Sequence, residues 1–378
     1  MVMIKKTMDT NEKLRVLSRD SRYDLACACA TRQDEHRKRS ETDKWIYPVT
    51  FPDGRRTFLF KTLLSNECVN NCKYCPLRAG RDVPRCGLVP EELARTFLSY
   101  YRARKVSGLF LSSGVGGKPD AVMDGINRTA GALRRSGFRG YIHLKIIPGA
   151  SDAAVRRSLS LATAVSINVE TATAARFREL STTKDFKNDI VRPLKLISRL
   201  TARGGEFSRV KQTTQFVVGA ASDTDEEIVK ASWGLYRNLG LCRVYFSAYQ
   251  RGAGASDLPG EVSGGSNADL LTREHRLYQV DWLMRKYGFT ADEIPFGSGG
   301  KLSLECDPKE AWAKAHPEFF PVDVNRDEVS RLLRVPGFGE VTVEKIREAR
   351  KCGLKIRSIE DLGRQTRILK KAMSYVVF

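Results

Sequence analysis

Histidine is scarce, with four in 378 residues, so a metal site built on paired imidazoles has little to draw on. His275 and His316 lack any paired ligand spacing and read as structural. No apolar run approaches the roughly 18 residues a membrane helix needs. The opening segment, MVMIKKTMDTNEKLRVLSRD, lacks the apolar core of a secretory signal, so a cytoplasmic setting with reduced thiols is expected. Cysteine is sparse too. Nine residues, an odd number with six of them scattered, argue against a disulfide framework. Acids are outnumbered, 44 against 64 lysines and arginines, leaving a net charge of +20. Such a field attracts polyanions and is a hint of nucleic acid, though merely basic proteins carry similar charge.

What is present is organised in sections. Residues 1–55 are polar and charge-rich, with one helical stretch over 11–30 (NEKLRVLSRDSRYDLACACA). Residues 56–300 alternate six apolar runs with longer amphipathic stretches. The runs are TFLFKTLLS, SGLFLSSG, YIHLKIIPG, AVSINVET, QTTQFVVGA and CRVYFSAYQ. Regular alternation of this kind predicts βαβ units and an α/β fold with a parallel sheet, either doubly wound or a partial (β/α)6 barrel. The Gly/Ser-rich stretch 251–270 is expected to be a mobile loop. Residues 301–321 read as a connector and 322–378 as a separate small helical domain. A single core rarely exceeds about 300 residues, which leaves room for such an appendage.

CVNNCKYCP places Cys68, Cys72 and Cys75 directly after the first apolar run, at a strand's C-terminal end, where parallel α/β folds build active sites. Zinc prefers four closed donors, usually in two pairs, and here Cys86 is the only nearby fourth thiol. Three thiolates spaced C-x3-C-x2-C suit three irons of a [4Fe–4S] cluster, with the fourth iron left open.

With the aromatic Tyr74 before the last cysteine, the segment resembles the CxxxCxΦC motif of radical S-adenosylmethionine (SAM) enzymes. The resemblance implies that SAM chelates the open iron and is cleaved reductively to methionine and a 5′-deoxyadenosyl radical, with the electron coming from a flavodoxin- or ferredoxin-type donor. It further implies SAM contacts at Ser112, Ser113 and Gly114, where the family's Gly-Gly-Glu segment would lie and no acid follows. Asn168 and Glu170 share a strand face by the period of two; the resemblance places polar SAM contacts there, while a capped strand end explains the same residues. Gly219 falls in QFVVGAASDTDEEI, which resembles the segment that passes the adenine but whose SDTDEE is also a plain helix N-terminus, and Lys145 is a candidate partner of the SAM carboxylate or a solvated lysine. Cys86, Cys242 and Cys306 are candidate hydrogen donors, with Cys242 preferred and an inert thiol the plainer alternative. Tyr245 and Tyr249 are placed to stack an extruded base or to fill the barrel. Cys27 and Cys29 suit redox chemistry or simple packing.

The C-terminal section runs helix, then Val335-Pro336-Gly337-Phe338-Gly339, then helix. This resembles a helix–hairpin–helix DNA-binding module, in which Gly337 and Gly339 let backbone N–H groups hold a phosphate. Arg334, Lys345, Arg347, Arg350 and Lys351 are the candidate counter-charges. A second, degenerate hairpin is expected over IRSIEDLGRQTRILKKAMSYV. Taken together, the sections resemble a family of DNA modification/repair radical SAM proteins. That implies a DNA substrate and a partner resembling a uracil-DNA glycosylase. Two other readings stay open: an enzyme modifying transfer RNA, and a DNA-binding partner protein with a structural cluster.

Overall fold

The computed structural model describes residues 8–22, 45–50, 56–363 and 367–378. It divides into two compact units, Met1–Asp223 with Gly234–Glu274, and Thr224–Trp233 with His275–Phe378. The sequence boundary at residue 300 therefore lies inside the second unit. Cys27 and Cys29, and most of the helical stretch expected to residue 30, fall outside the described residues. Among those that are described, no helix is long and apolar enough to cross a membrane.

The first unit is built on a seven-stranded sheet in the order β1 (Ile46–Thr50), β2 (Arg56–Leu63), β3 (Gly108–Ser112), β4 (Tyr141–Lys145), β5 (Ala164–Ser166), β6 (Lys211–Val218) and β7 (Arg243–Ala248). Strands β2 to β7 are the six apolar runs of the sequence, and all pair in parallel. β1 was not anticipated. It pairs antiparallel with β2 at the sheet edge, where Pro48 costs no interior ladder bond.

Spatial order follows chain order without a reversal. Right-handed crossovers then place every connecting helix on the same face, the winding of a barrel segment and not of a doubly wound sheet. The helices that lie wholly in this unit are α1 (Thr10–Asp20), α2 (Pro90–Arg102), α3 (Pro119–Arg135), α4 (Asp152–Leu161), α5 (Ala174–Leu180), α6 (Arg192–Thr201) and α8 (Pro259–Val262), while α7 (Asp225–Leu239) and α9 (Asn267–Lys286) are divided between the two units. α2 packs on α3, α3 on α4 and α4 on α6, as one outer layer. Local signals start these helices: Pro90 and Pro119 occupy first turns, acids follow them, and arginines close the last turns.

The two faces of the sheet are separated by the pleat. Phe60 packs edge-on against Phe97 and Tyr100 of α2, with ring centroids 6.0 and 5.6 Å apart. Alternation then turns Lys61 to the concave face, where its ammonium lies 4.4 Å from the centre of the Tyr47 ring. Strand register carries that face across the sheet through Phe110, His143 and, one level higher, Lys145, Ser166 and Thr213.

In the second unit the expected connector carries α10 (Pro308–Ala315), whose Trp312 is buried against Phe289 and Phe319 at 5.3 and 5.1 Å. α11 (Val329–Leu332) and α12 (Glu340–Lys351) flank the glycine turn, and Leu332, Val335, Phe338, Val343 and Ile346 share one core. The domain expected to be all-helical also holds a short parallel pair, Val322–Asp323 with Val376–Val377. Among the described residues beyond α12 the helical segments are short turns, among them Ile359–Leu362 and Lys371–Tyr375, and no second pair of full helices is seen there.

Candidate functional site

Strand C-terminal ends open onto a cavity of about 1150 Å³, counted out to its mouth. Leu63 of β2, Ser112 of β3, Lys145 of β4, Gln215 of β6 and Ser247 of β7 all line it, together with Cys68, Cys72 and Cys75. The cysteine loop is strapped down by arginines and a buried asparagine. Asn66 donates to Pro84 O and to Asp20, each at 2.8 Å, and accepts from the Cys86 amide at 2.8 Å. Arg85 donates to the carbonyls of Asn66, Leu77 and Arg78, and Arg78 to those of Cys75, Ala253 and Gly254.

The thiols are close enough to sense one another. Burial first, and then charge on Cys72 and Cys68, push the Cys75 thiol up to about 12, against the pull of the Leu77 amide, which donates to its sulfur at 3.4 Å. A zinc cage needs four donors around one ion at about 2.0–2.3 Å. Among the described residues no group of His, Cys, Asp and Glu is arranged to hold a single ion.

Tyr74 donates to Glu170 Oε1 at 2.8 Å, and Asn168 to the other Glu170 oxygen at 3.4 Å. Burial, then the Glu170 charge, raises the Tyr74 phenol well above its usual range, so it stays a neutral donor. Glu170 is 7% exposed and sits at φ 65°, a left-handed conformation rare for such a residue. Its backbone is held there by bonds from its own N–H to Gln215 O (3.0 Å) and from Val217 N–H to its carbonyl (2.9 Å). Strain fixed so firmly at a cavity wall is a mark of function.

Of the residues singled out in the sequence, Ser112, Ser113, Gly114, Lys145, Asn168, Glu170 and Tyr74 meet the three cysteines in this one cavity. Gly114 is required by close approach, since a Cβ there would overlap the Glu67 carbonyl. Three expectations are corrected. Gly219 does not line the cavity: it makes a left-handed turn at φ 81°, and a Cβ would run into Leu270. Cys242 is exposed and precedes the first residue of β7, at the end of the strands opposite the mouth, so it is no hydrogen donor to this cavity. The 251–270 stretch, expected as a loop, is bonded to the cysteine loop over residues 253–257. Lys73 pairs with Asp257 at 2.6 Å, Ala255 N–H donates to Lys73 O at 2.8 Å, and the Tyr249 hydroxyl is committed to Glu261.

Two charged wall residues escaped the sequence reading. Asp20 reaches the cavity from α1, and Lys184 from the segment after α5. Burial pulls the Lys184 ammonium down, but Cys72 and Glu170 outweigh it, and the net shift is upward. Neither residue belongs to a recognisable spacing.

In the second unit the candidate DNA contacts separate. Arg334 is spent on packing, paired with Glu293 at 2.7 Å and stacked over Phe289 and Trp312 at 4.3 and 4.8 Å. Arg350 donates to the carbonyls of Val324 and Asp327. Lys345 donates to Leu362 O at 3.3 Å and Arg347 pairs with Glu344 at 3.3 Å, yet both remain exposed, as does Lys351. Gly339 caps α12 in ordinary extended conformation. The hairpin carbonyl of Phe338 accepts from Lys309 Nζ at 2.6 Å.

Burial lowers the Lys309 ammonium to about 7, with nearby Asp307 opposing the shift. The unfolded chain keeps that proton up to about pH 10, so between about pH 7 and pH 10 it binds more protons than the folded one. Stability therefore rises with pH across this window, and below it the full burial cost is felt. Thermal melts should show the wild type gaining on Lys309→Met from about pH 7 to pH 10. Parallel curves would contradict this.

The fold and site together define a parallel half-barrel α/β protein with three cysteines at its mouth. No protein-family model matches the chain, and no curated protein does. Solved structures do. The [FeFe]-hydrogenase maturase HydG from Carboxydothermus hydrogenoformans aligns over 59% of this chain and 51% of its own, at 16% identity and a TM-score of 0.43. A second HydG structure covers 57% and 48%, and methylornithine synthase (PylB) 70% and 77%, each at 15% identity and a TM-score of 0.43. The chain thus spans about half the length of the two maturases it matches.

Proposed function

We propose that this chain is a radical SAM enzyme acting on DNA, with Cys68, Cys72 and Cys75 holding a [4Fe–4S] cluster. The observation that carries the reading is the convergence of three thiols, Tyr74 and a strained, buried Glu170 on one cavity at the barrel mouth. The donor set fits the cluster: three sulfurs on one strapped loop, a backbone N–H donated to one of them, and open cavity beside them. When bound, cluster and SAM supply one-electron reductive cleavage of the sulfonium, fed by a flavodoxin- or ferredoxin-type donor.

The chain's own residues do the positioning. Glu170 and Asn168 accept hydrogen bonds from ammonium or hydroxyl groups at one side of the cavity. Ser112, Ser113 and Gly114 offer backbone close by, and Lys145 sets a cation at the floor. The 253–257 segment is pinned beside the cysteine loop through Lys73 and Arg78, with Ala253 on the cavity wall. Support for DNA comes from the net charge of +20 and the glycine hairpin with its exposed Lys345, Arg347 and Lys351. A uracil-DNA-glycosylase-like protein belongs to this proposal as a partner.

The test is anaerobic. The iron-reconstituted protein is reduced with SAM, and 5′-deoxyadenosine is quantified with no nucleic acid, with damaged duplex DNA, and with bulk transfer RNA. Stimulation by DNA alone is expected. Stimulation by RNA alone moves the substrate class, and no product with an intact cluster removes the enzyme.

A further inference from the structure

The cysteine loop is latched to the segment that follows α5, and the latch uses amides and hydroxyls that ligate nothing. Asn71 Oδ1 accepts from Ser181 Oγ (3.1 Å), the N–H groups of Thr182 (3.2 Å) and Thr183 (3.3 Å), and Thr183 Oγ1 (3.0 Å). Its Nδ2 donates to Thr182 Oγ1 at 2.6 Å, and Asn70 Oδ1 lies 3.3 Å from the same Thr183 hydroxyl oxygen, as an alternative acceptor for its one proton. On the other side Lys73 N–H donates to Leu180 O at 2.7 Å. An asparagine side chain offers two lone pairs and two donors; four donors from three consecutive residues crowd around Asn71 Oδ1 and share its two lone pairs, and one N–H is also engaged. Ending α5 does not require it, because Ser181 N–H already bonds Phe177 O.

What the latch fixes is the next residue, Lys184. Its side chain lines the cavity together with Cys68, Cys72 and Cys75, three residues after Ser181, whose hydroxyl lies 3.9 Å from the Cys72 sulfur, and the charges of Cys72, Glu170 and Cys75 favour its charged form. We infer that Lys184 is the resident counter-cation of the three-cysteine centre, a positioning residue that raises the centre's reduction potential. This rests on the cluster reading above. Three thiolates leave a bound cluster anionic, and each added electron deepens that charge. A cation on the cavity wall beside the ligand sulfurs stabilises the reduced form, more strongly in a half-buried site than in water. Glu170 acts in the opposite sense, so removing Lys184 tips the balance of charge on the wall toward the negative.

The experiment is an anaerobic redox titration of the reconstituted full chain, followed by electron paramagnetic resonance, with iron and sulfide counted for each variant. Lys184→Met should keep its iron and move the midpoint to a more negative potential. Lys184→Arg should restore most of the shift. Asn71→Ser, which loosens the latch with Lys184 still present, should move it the same way by less, and it carries the test if Lys184→Met loses its cluster. An unchanged midpoint in iron-replete Lys184→Met and Asn71→Ser overturns the inference and leaves the cluster reading standing. Loss of SAM affinity at an unchanged midpoint also overturns it, in favour of a carboxylate anchor. Failure of the wild type to take up iron and sulfide defeats both.

Discussion

Cys72→Ala should abolish the cluster and bring reductive SAM cleavage to background, while the chain stays folded. Cys72 is the middle thiol of the three and, at 5% exposure, the deepest. Alanine removes a sulfur that two remaining thiols cannot replace, because a cluster held at two irons has lost the geometry that leaves one iron open. The loop does not depend on that sulfur for its shape. Arg85, Arg78, Asn66 and the Asn71 latch hold it through backbone and amide bonds that the substitution leaves in place. The matched control is Cys86→Ala. Cys86 is absent from the cavity wall, and its sulfur faces the Lys13 carbonyl at 3.9 Å. Iron and sulfide content, 5′-deoxyadenosine yield and the circular dichroism spectrum should separate the two variants. A Cys86→Ala protein that loses its cluster would move the ligand set. A Cys72→Ala protein that keeps cluster and turnover would end the three-cysteine assignment.

How far the site could be read in advance follows from which interactions are local. The cysteine triad and Tyr74 sit within eight residues, so spacing alone gathers them. Asn168 and Glu170 were paired by strand alternation, although the structure turns the chain left-handed at Glu170 to bring them to the wall. Asp20 and Lys184 arrive from elements whose approach is set by packing, through Asn66 and Asn71, and no short motif encodes such contacts. Cys242 is a different lesson. It begins an apolar strand, and in a parallel barrel strand beginnings point away from the mouth, so its exclusion followed from rules already in hand. β1 escaped because five residues interrupted by Pro48 carry too little pattern. Arg334 looked like counter-charge because a sequence shows sign and not stacking.

Gly337→Ala should destabilise the second unit by about 3 kcal/mol or more, the sum of left-handed strain on a residue with a Cβ and a displaced neighbour. Gly337 sits at φ 91°, and a Cβ there would overlap the Ile368 carbonyl oxygen, with the Ala372 amide close behind. Neither neighbour is the end of a flexible side chain, so backbone must move. Gly339→Ala is the contrast. Its φ is −120°, and a Cβ would meet only the Tyr287 hydroxyl at 3.4 Å, so the loss should be at most about 1 kcal/mol, that of a poorer N-cap. Thermal and urea unfolding of the full chain should rank the two variants in that order. Equal stability would mean that the hairpin backbone is looser than drawn. The ranking also decides how DNA binding must be probed. A Gly337 variant that loses duplex affinity has lost its fold, so the loss says nothing about phosphate. Exposed cations answer the question: a phosphate-binding hairpin predicts that Lys351→Gln lowers affinity for every sequence and reduces the salt slope by about one, with Lys345→Gln and Arg347→Gln doing the same. If the slope stays put in all three while Gly337→Ala alone abolishes binding, the hairpin is a packing element and the phosphate contacts lie elsewhere on the chain.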